Sequence, residues 1–184
     1  MKKTFFIISL TVLCLTNNFG QINSNLNQME SEEYVIYSTR LVGGKNRAYL
    51  NQNILIQTPK DIVEKIPNLS KETLKDFDNK NKSSALIEDK FSIRNRFILL
   101  DKAEFQKKID LFIKEGINRS SNSPILVELS RIGFNESKTQ ALLYEFDYFG
   151  PIRCGNTIFS MFVLYEKKDG YWEIVGGYTN PSIN

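Results

Sequence analysis

The stretch 124–181, PILVELSRIGFNESKTQALLYEFDYFGPIRCGNTIFSMFVLYEKKDGYWEIVGGYTNP, decides the fold. It reads as four consecutive strands joined by tight turns. Ile125 to Phe134 mixes β-branched and large apolar residues, then stops at the turn-forming cluster Asn135-Glu136-Ser137-Lys138. A second run begins at Thr139. Side chains alternate across a strand, so Leu142, Tyr144, Phe146 and Tyr148 share one face, while Ala141, Leu143, Glu145 and Asp147 share the other. The first face is read as buried or as a binding surface. Beyond the loop Phe149 to Asn156, the run Thr157 to Glu166 is apolar on both faces, the pattern of a central strand covered on both sides. Lys168-Asp169-Gly170-Tyr171 then carries a hairpin signal, since Gly tolerates the positive φ such turns require. The last strand runs from Tyr171 to Tyr178, with Trp172 and Ile174 assigned to the core and Pro181 marking its end. Short connections favour antiparallel pairing of neighbours, which predicts a four-strand meander.

Upstream of this block, helical and extended signals alternate without repeats. Residues 23–28 are Asn-rich and read as a flexible tail, and Glu30 to Arg40 fits a helix or a strand, with the helix, stopped by Gly43-Gly44, preferred. Ile54, Leu55 and Ile56 predict a short strand. Pro59 opens the next turn or helix, which places Ile62, Val63 and Ile66 on one side and ends at Pro67. Ser70 is the predicted N-cap of a helix turning Leu74 and Phe77 inward, and the polar segment Asn79 to Ser84 reads as a loop or fraying helix end. Phe91 to Leu100 alternates as a strand with Arg94 and Arg96 outward. Asp101 and Glu104 resemble a capping box for a helix whose Phe105, Ile109 and Phe112 form one apolar stripe before Gly116. The whole is expected to be an α+β domain: an antiparallel sheet of four to five strands, the C-terminal meander, packed against helices.

Composition narrows the chemistry. Lys2-Lys3 forms a basic n-region and Phe5 to Leu15 an apolar h-region, so residues 1–20 read as a signal peptide and residues 21–184 as one domain. The predicted location is periplasmic or secreted. The alternative is a lipid anchor through Cys14, against which Leu13 stands where that processing wants a small residue. Eleven residues are too few to span a bilayer, which takes about 20. Cleavage near Gln21 would leave 22 of the 24 basic residues against all 21 acids. That balance, with no basic stripe, argues against a nucleic-acid partner. Histidine is absent from the chain, which excludes Ser-His-Asp and Cys-His nucleophile arrangements and histidine-ligated metal sites. No cofactor and no metal are called for. Cys154 is the single cysteine beyond the leader, so it has no internal disulfide partner, and Arg153 is its one local candidate for lowering a thiol pKa. Four Asn-x-Ser sequons, at Asn68, Asn81, Asn118 and Asn135, are read as chance in an Asn-rich chain.

The block Leu129-Ser130-Arg131-Ile132-Gly133-Phe134-Asn135, then Thr139-Gln140-Ala141-Leu142, Cys154-Gly155 and Leu164 to Trp172, resembles a group of uncharacterised exported bacterial proteins. These share an S-R-x-G-F strand end, an A-L-x-Y strand, a Gly-rich loop often carrying C-G-x-x-C-G, and a strand reaching K-x-G-x-W. The likeness covers about the last 50 residues. It implies an exported α+β domain and brings no activity with it. Where the similar proteins often place a first cysteine, this chain has Phe149 or a neighbour, so a loop function that needs the pair is in doubt.

Two functions remain. One is a non-catalytic binding module for another envelope or secreted protein, inhibitor- or immunity-like in its specific version. It would use Arg131, Tyr144, Asp147, Tyr148, Arg153 and Cys154 as binding candidates, with Tyr178 as a further aromatic contact. The other is a small carboxylate-dependent hydrolase of the cell envelope. In it Glu145 and Asp147, two apart on one strand face and roughly 6 to 7 Å between Cα atoms, act as acid and base, and Arg131 and Arg153 stabilise an anion. A cystatin-like or nuclear-transport-factor-like fold with a cavity would suit that chemistry.

Overall fold

The computed structural model describes residues 31–41, 47–88, 98–115, 125–148 and 158–179. Four helices are present among them: α1 (Ser31–Leu41), α2 (Ile62–Lys65), α3 (Lys71–Lys80) and α4 (Lys102–Glu115). The strands are β1 (Arg47–Leu50), β2 (Ile98–Leu100), β3 (Ile125–Leu129), β4 (Gly133–Phe134), β5 (Gln140–Tyr148), β6 (Ile158–Lys168) and β7 (Tyr171–Thr179). The class is α+β, but the sheet is larger than the four to five strands expected and is not purely antiparallel. Its seven strands run in the order β2-β1-β3-β5-β6-β7, with β4 paired to β5 off that path.

The meander holds: β3, β5, β6 and β7 pair antiparallel in succession. What the sequence missed is the parallel half, in which β1 lies between β2 and β3 and runs parallel to both. Parallel neighbours need long crossovers. The connection from β1 to β2 supplies one with α2 and α3, and α4 fills the connection from β2 to β3. Such pairings leave no short-range turn signal. A mixed sheet covered by helices on both faces also departs from the cystatin-like expectation.

Each helix covers the sheet through its apolar stripe. On one face Ile36 and Tyr37 of α1 join Tyr49, Val127, Leu129, Ala141, Leu143, Val163, Tyr165 and Trp172. On the other face, Ile62, Ile66 and Phe77 pack on Leu142, Tyr144, Phe162 and Leu164, and Phe105 and Ile109 of α4 pack on Ala48, Leu100 and Leu126. Strand β5 is therefore buried on both faces, not on one. Local signals hold where they are strong. Ser70 Oγ accepts the Thr73 N–H at 3.1 Å, Asp101 Oδ1 accepts the Glu104 N–H at 2.8 Å, and Asp169 (φ 49) and Gly170 (φ 86) form the two-residue turn joining β6 to β7.

Three expectations fail for identifiable reasons. Ile54 to Ile56 forms no strand; the Ile54 N–H alone reaches the sheet, donating to the Leu129 carbonyl at 3.0 Å, and Leu55 is exposed. Trp172 is buried beneath the first turn of α1, where Glu32 accepts its indole N–H at 3.2 Å. Ile174, next along that face of the outermost strand, is instead 56% exposed, beside a register shift opposite Leu164 and Tyr165. The predicted strand Ile125 to Phe134 is broken after Leu129. The Ser130 carbonyl leaves the ladder to accept the Tyr37 hydroxyl at 2.5 Å, and Ser130 Oγ takes its place as acceptor for the Tyr144 N–H at 2.9 Å. Of the strand expected over Phe91 to Leu100, Ile98 to Leu100 is observed, and Arg94 and Arg96 lie outside the described residues, as does the signal segment 1–20. The side chain of Phe112 is likewise outside them. No helix among the described residues is long and apolar enough to cross a membrane.

Candidate functional site

The break between β3 and β4 is a buried polar node, and it claims Arg131. Its guanidinium pairs with Glu33 of α1 through Nε at 3.3 Å and Nη2 at 3.0 Å, and both residues are buried. Glu33 Oε1 also accepts the Ile132 N–H at 2.9 Å. From the opposite side Asn81, at the end of α3, accepts the Arg131 N–H at 2.9 Å and donates to the Arg131 carbonyl at 3.0 Å. The irregular backbone thus finds partners in two helices, as buried amides and carbonyls must. Burial and the nearby Glu33 charge hold the Tyr37 hydroxyl well above its usual pKa, so it stays a donor. Arg131 is thus buried and ties α1 to the sheet.

Asp147 and Glu145 form a second node on the α1 face of the sheet. Arg47 Nη1 lies 2.6 Å from Glu145 Oε1 and Nη2 lies 3.2 Å from Asp147 Oδ2, both acids being buried. Burial works against the guanidinium charge but is outweighed by the two carboxylates, which raise the Arg47 pKa further. Burial likewise lifts the neighbouring Tyr49 hydroxyl to about 12. The two acids do share a strand face, as alternation requires. Both pair with Arg47, from the strand β1, while Arg131 pairs with Glu33.

Tyr144 and Tyr148 are brought together on the opposite face, in a cleft of about 750 Å³ between α4, the segment from Leu50 to Ile56 and the sheet. Its floor is aromatic. Tyr148 meets Phe146 at 4.8 Å between centroids and Phe105 of α4 at 6.1 Å, both edge-to-face, and the Tyr144 ring packs tilted against Phe162 at 4.7 Å. Glu128 projects from β3 into this floor, directly opposite Phe146 in the ladder. The Tyr148 hydroxyl donates to Glu128 Oε1 at 3.0 Å. Burial raises the Glu128 pKa, with the Tyr148 hydrogen bond opposing the shift. Burial, with the Glu128 charge beside it, also raises the Tyr148 hydroxyl, and burial raises Tyr144 against the pull of its hydrogen bond with Ser160. At pH 7 both phenols are therefore neutral.

Sequence reasoning found the two tyrosines but missed Glu128 and Arg47. Glu128 had a signal: it is the one charged residue in Ile125–Leu129, a run otherwise built for burial. Arg47 had none, because its partners lie 98 and 100 residues away. Arg153 and Cys154 lie outside the described residues, and Tyr178 is half-buried with Lys65 5.8 Å from its ring centroid. Among the described residues no group of three or more Cys, Asp or Glu is placed to hold a metal ion.

Comparison of the chain with protein-family models, with curated proteins and with solved structures finds no match.

Proposed function

We propose that this protein is an exported, non-catalytic recognition module that takes an apolar or aromatic group of its ligand into the cleft beneath α4. The carrying observation is the cleft itself: an aromatic floor with a few convergent polar groups, of a volume within the roughly 300–1,000 Å³ range of ligand sites. Export rests on the basic and apolar leader segments and on the resemblance to exported bacterial proteins. The hydrolase reading gains no specific observation. Its two carboxylates are engaged by Arg47 on the sheet face away from the cleft, and acid–base work needs carboxylates that reach a substrate.

The test is an NMR titration of the ¹⁵N-labelled full chain with 2-phenylethanol, an aromatic probe without charge. The expected outcome is a set of shifts confined to residues 50–56, 102–109, 128 and 144–148. Gln106→Trp, which plugs the cleft from an exposed position of α4, should abolish those shifts with the spectrum otherwise intact. Shifts clustered on β7, or unaffected by the plug, would overturn the assignment.

A further inference from the structure

We propose that the ligand of this cleft is a small organic amine, its ammonium group seated against the Glu128 carboxylate and among the rings of Tyr144, Phe146 and Tyr148. The inference rests on reading the cleft as a ligand site and adds the charge class of what it takes.

Glu33, Glu145 and Asp147 are buried among the described residues, and each faces an arginine at 2.6 to 3.2 Å. That is the ordinary condition of a carboxylate removed from water, because an uncompensated charge there is strongly unfavourable. Glu128 differs. It is half-buried at the cleft floor, and the described residues give it one hydrogen bond, from the neutral Tyr148 hydroxyl, and no cation within ion-pair distance. Lys102, the one basic side chain among the described residues lining the cleft, is exposed in the first turn of α4 and makes no pair with it.

The surroundings of Glu128 select the kind of cation. Three aromatic rings flank it: Phe146 is its cross-strand neighbour, Tyr148 its hydrogen-bond donor, and Tyr144 lies two residues further along β5 on the same face. Aromatic faces carry partial negative charge and attract ammonium groups, and they do so more strongly where water is excluded. A metal cation would instead want several oxygen ligands, which one carboxylate and phenols do not supply. An ammonium donates a charge-assisted hydrogen bond to Glu128, while its apolar body lies against Phe105 and Ile109.

The test compares three probes of one shape: 2-phenylethylamine, 2-phenylethanol and phenylacetate, titrated into the full chain by NMR. The amine should bind about tenfold or more tightly than the alcohol, with the acid weakest. Glu128→Gln keeps the size and hydrogen-bonding capacity of the side chain and should bring the amine down to the level of the alcohol. Lys102→Gln should tighten amine binding by removing a like charge at the mouth. Equal affinities for amine and alcohol in the wild type, or an amine preference that survives Glu128→Gln, would overturn the ammonium assignment while leaving the cleft a ligand site. Absence of cleft shifts with all three probes would overturn both.

Discussion

At the scale of single residues, the decisive choices are made by side chains that complete an interrupted backbone. Ser130 supplies the ladder acceptor its own carbonyl has given up, and Glu33 and Asn81 satisfy the residues that follow. Removing one member of the Arg131–Glu33 pair strands a buried charge. Arg131→Ala or Glu33→Ala should therefore lower the unfolding free energy by about 3–5 kcal/mol, read from urea midpoints. Midpoints matching wild type, with ligand binding lost instead, would restore Arg131 as a recognition residue. Glu128 should behave oppositely. Its folded pKa lies above the unfolded one, so its contribution to stability is greatest with the carboxyl protonated and is lost as pH rises through the folded value. Glu128→Gln is expected to be more stable than wild type at pH 7, the gap narrowing as pH falls through the raised folded value and closed by about pH 4. Thermal melts across pH 3.5 to 8 measure this, and a gap of constant size would contradict it. Glu32 has the reverse sign. Burial would raise its pKa, but hydrogen bonds from Trp172 and Lys167 outweigh it and lower the value, so its contribution is present above the usual carboxylate range and lost on acidification.

At the scale of elements, α1 and β4 show how position overrides pattern. Helix α1 is tied to the sheet at three places: Tyr37 to Ser130, Glu33 to Arg131 and Ile132, and Glu32 to Lys167 and Trp172. The Trp172 ring also packs 5.8 Å from Phe134 of β4, so it joins α1, β4 and β7. Trp172→Ala should lower stability by about 3–5 kcal/mol, as deletions of large buried side chains do. Chemical denaturation checks it, and a loss below about 1 kcal/mol would mean the outer strand carries little of the core. Strand β4 lies so close to α3 that a Cβ on Gly133 would strike the Phe77 backbone. Gly133→Ala is accordingly expected to be destabilising by more than the ordinary overpacking range of about 1–3 kcal/mol, because backbone atoms cannot rotate aside. A Gly133→Ala protein with a wild-type melting temperature would show that α3 can shift away.

For the molecule as a whole, stability should follow position in the sheet. Strands β5 and β6 have paired neighbours on both edges and helices over both faces, while β2 is three residues long at one edge. Hydrogen exchange under native conditions should leave Leu142 to Tyr144 and Phe162 to Leu164 as the slowest amides, with β2 opening far earlier. Uniform protection across the sheet would contradict this order.

The sequence by itself determined what depends on near neighbours. The hairpin at Asp169-Gly170, the caps at Ser70 and Asp101, the order of the C-terminal meander and the burial of Trp172 follow from turn chemistry and periodicity over a few residues. It also showed Tyr144 and Tyr148 on one face of a strand, which is half of the candidate site. Only the tertiary structure decided the parallel half of the sheet, the break at Ser130 and the partners of the charged side chains. Parallel pairing is set by crossovers tens of residues long, and Arg47 meets Glu145, and Glu33 meets Arg131, across 98 residues. A charge reads identically in sequence whether it faces water, an arginine or an aromatic cleft. Burial distinguishes these, and burial is a property of the assembled sheet and helices.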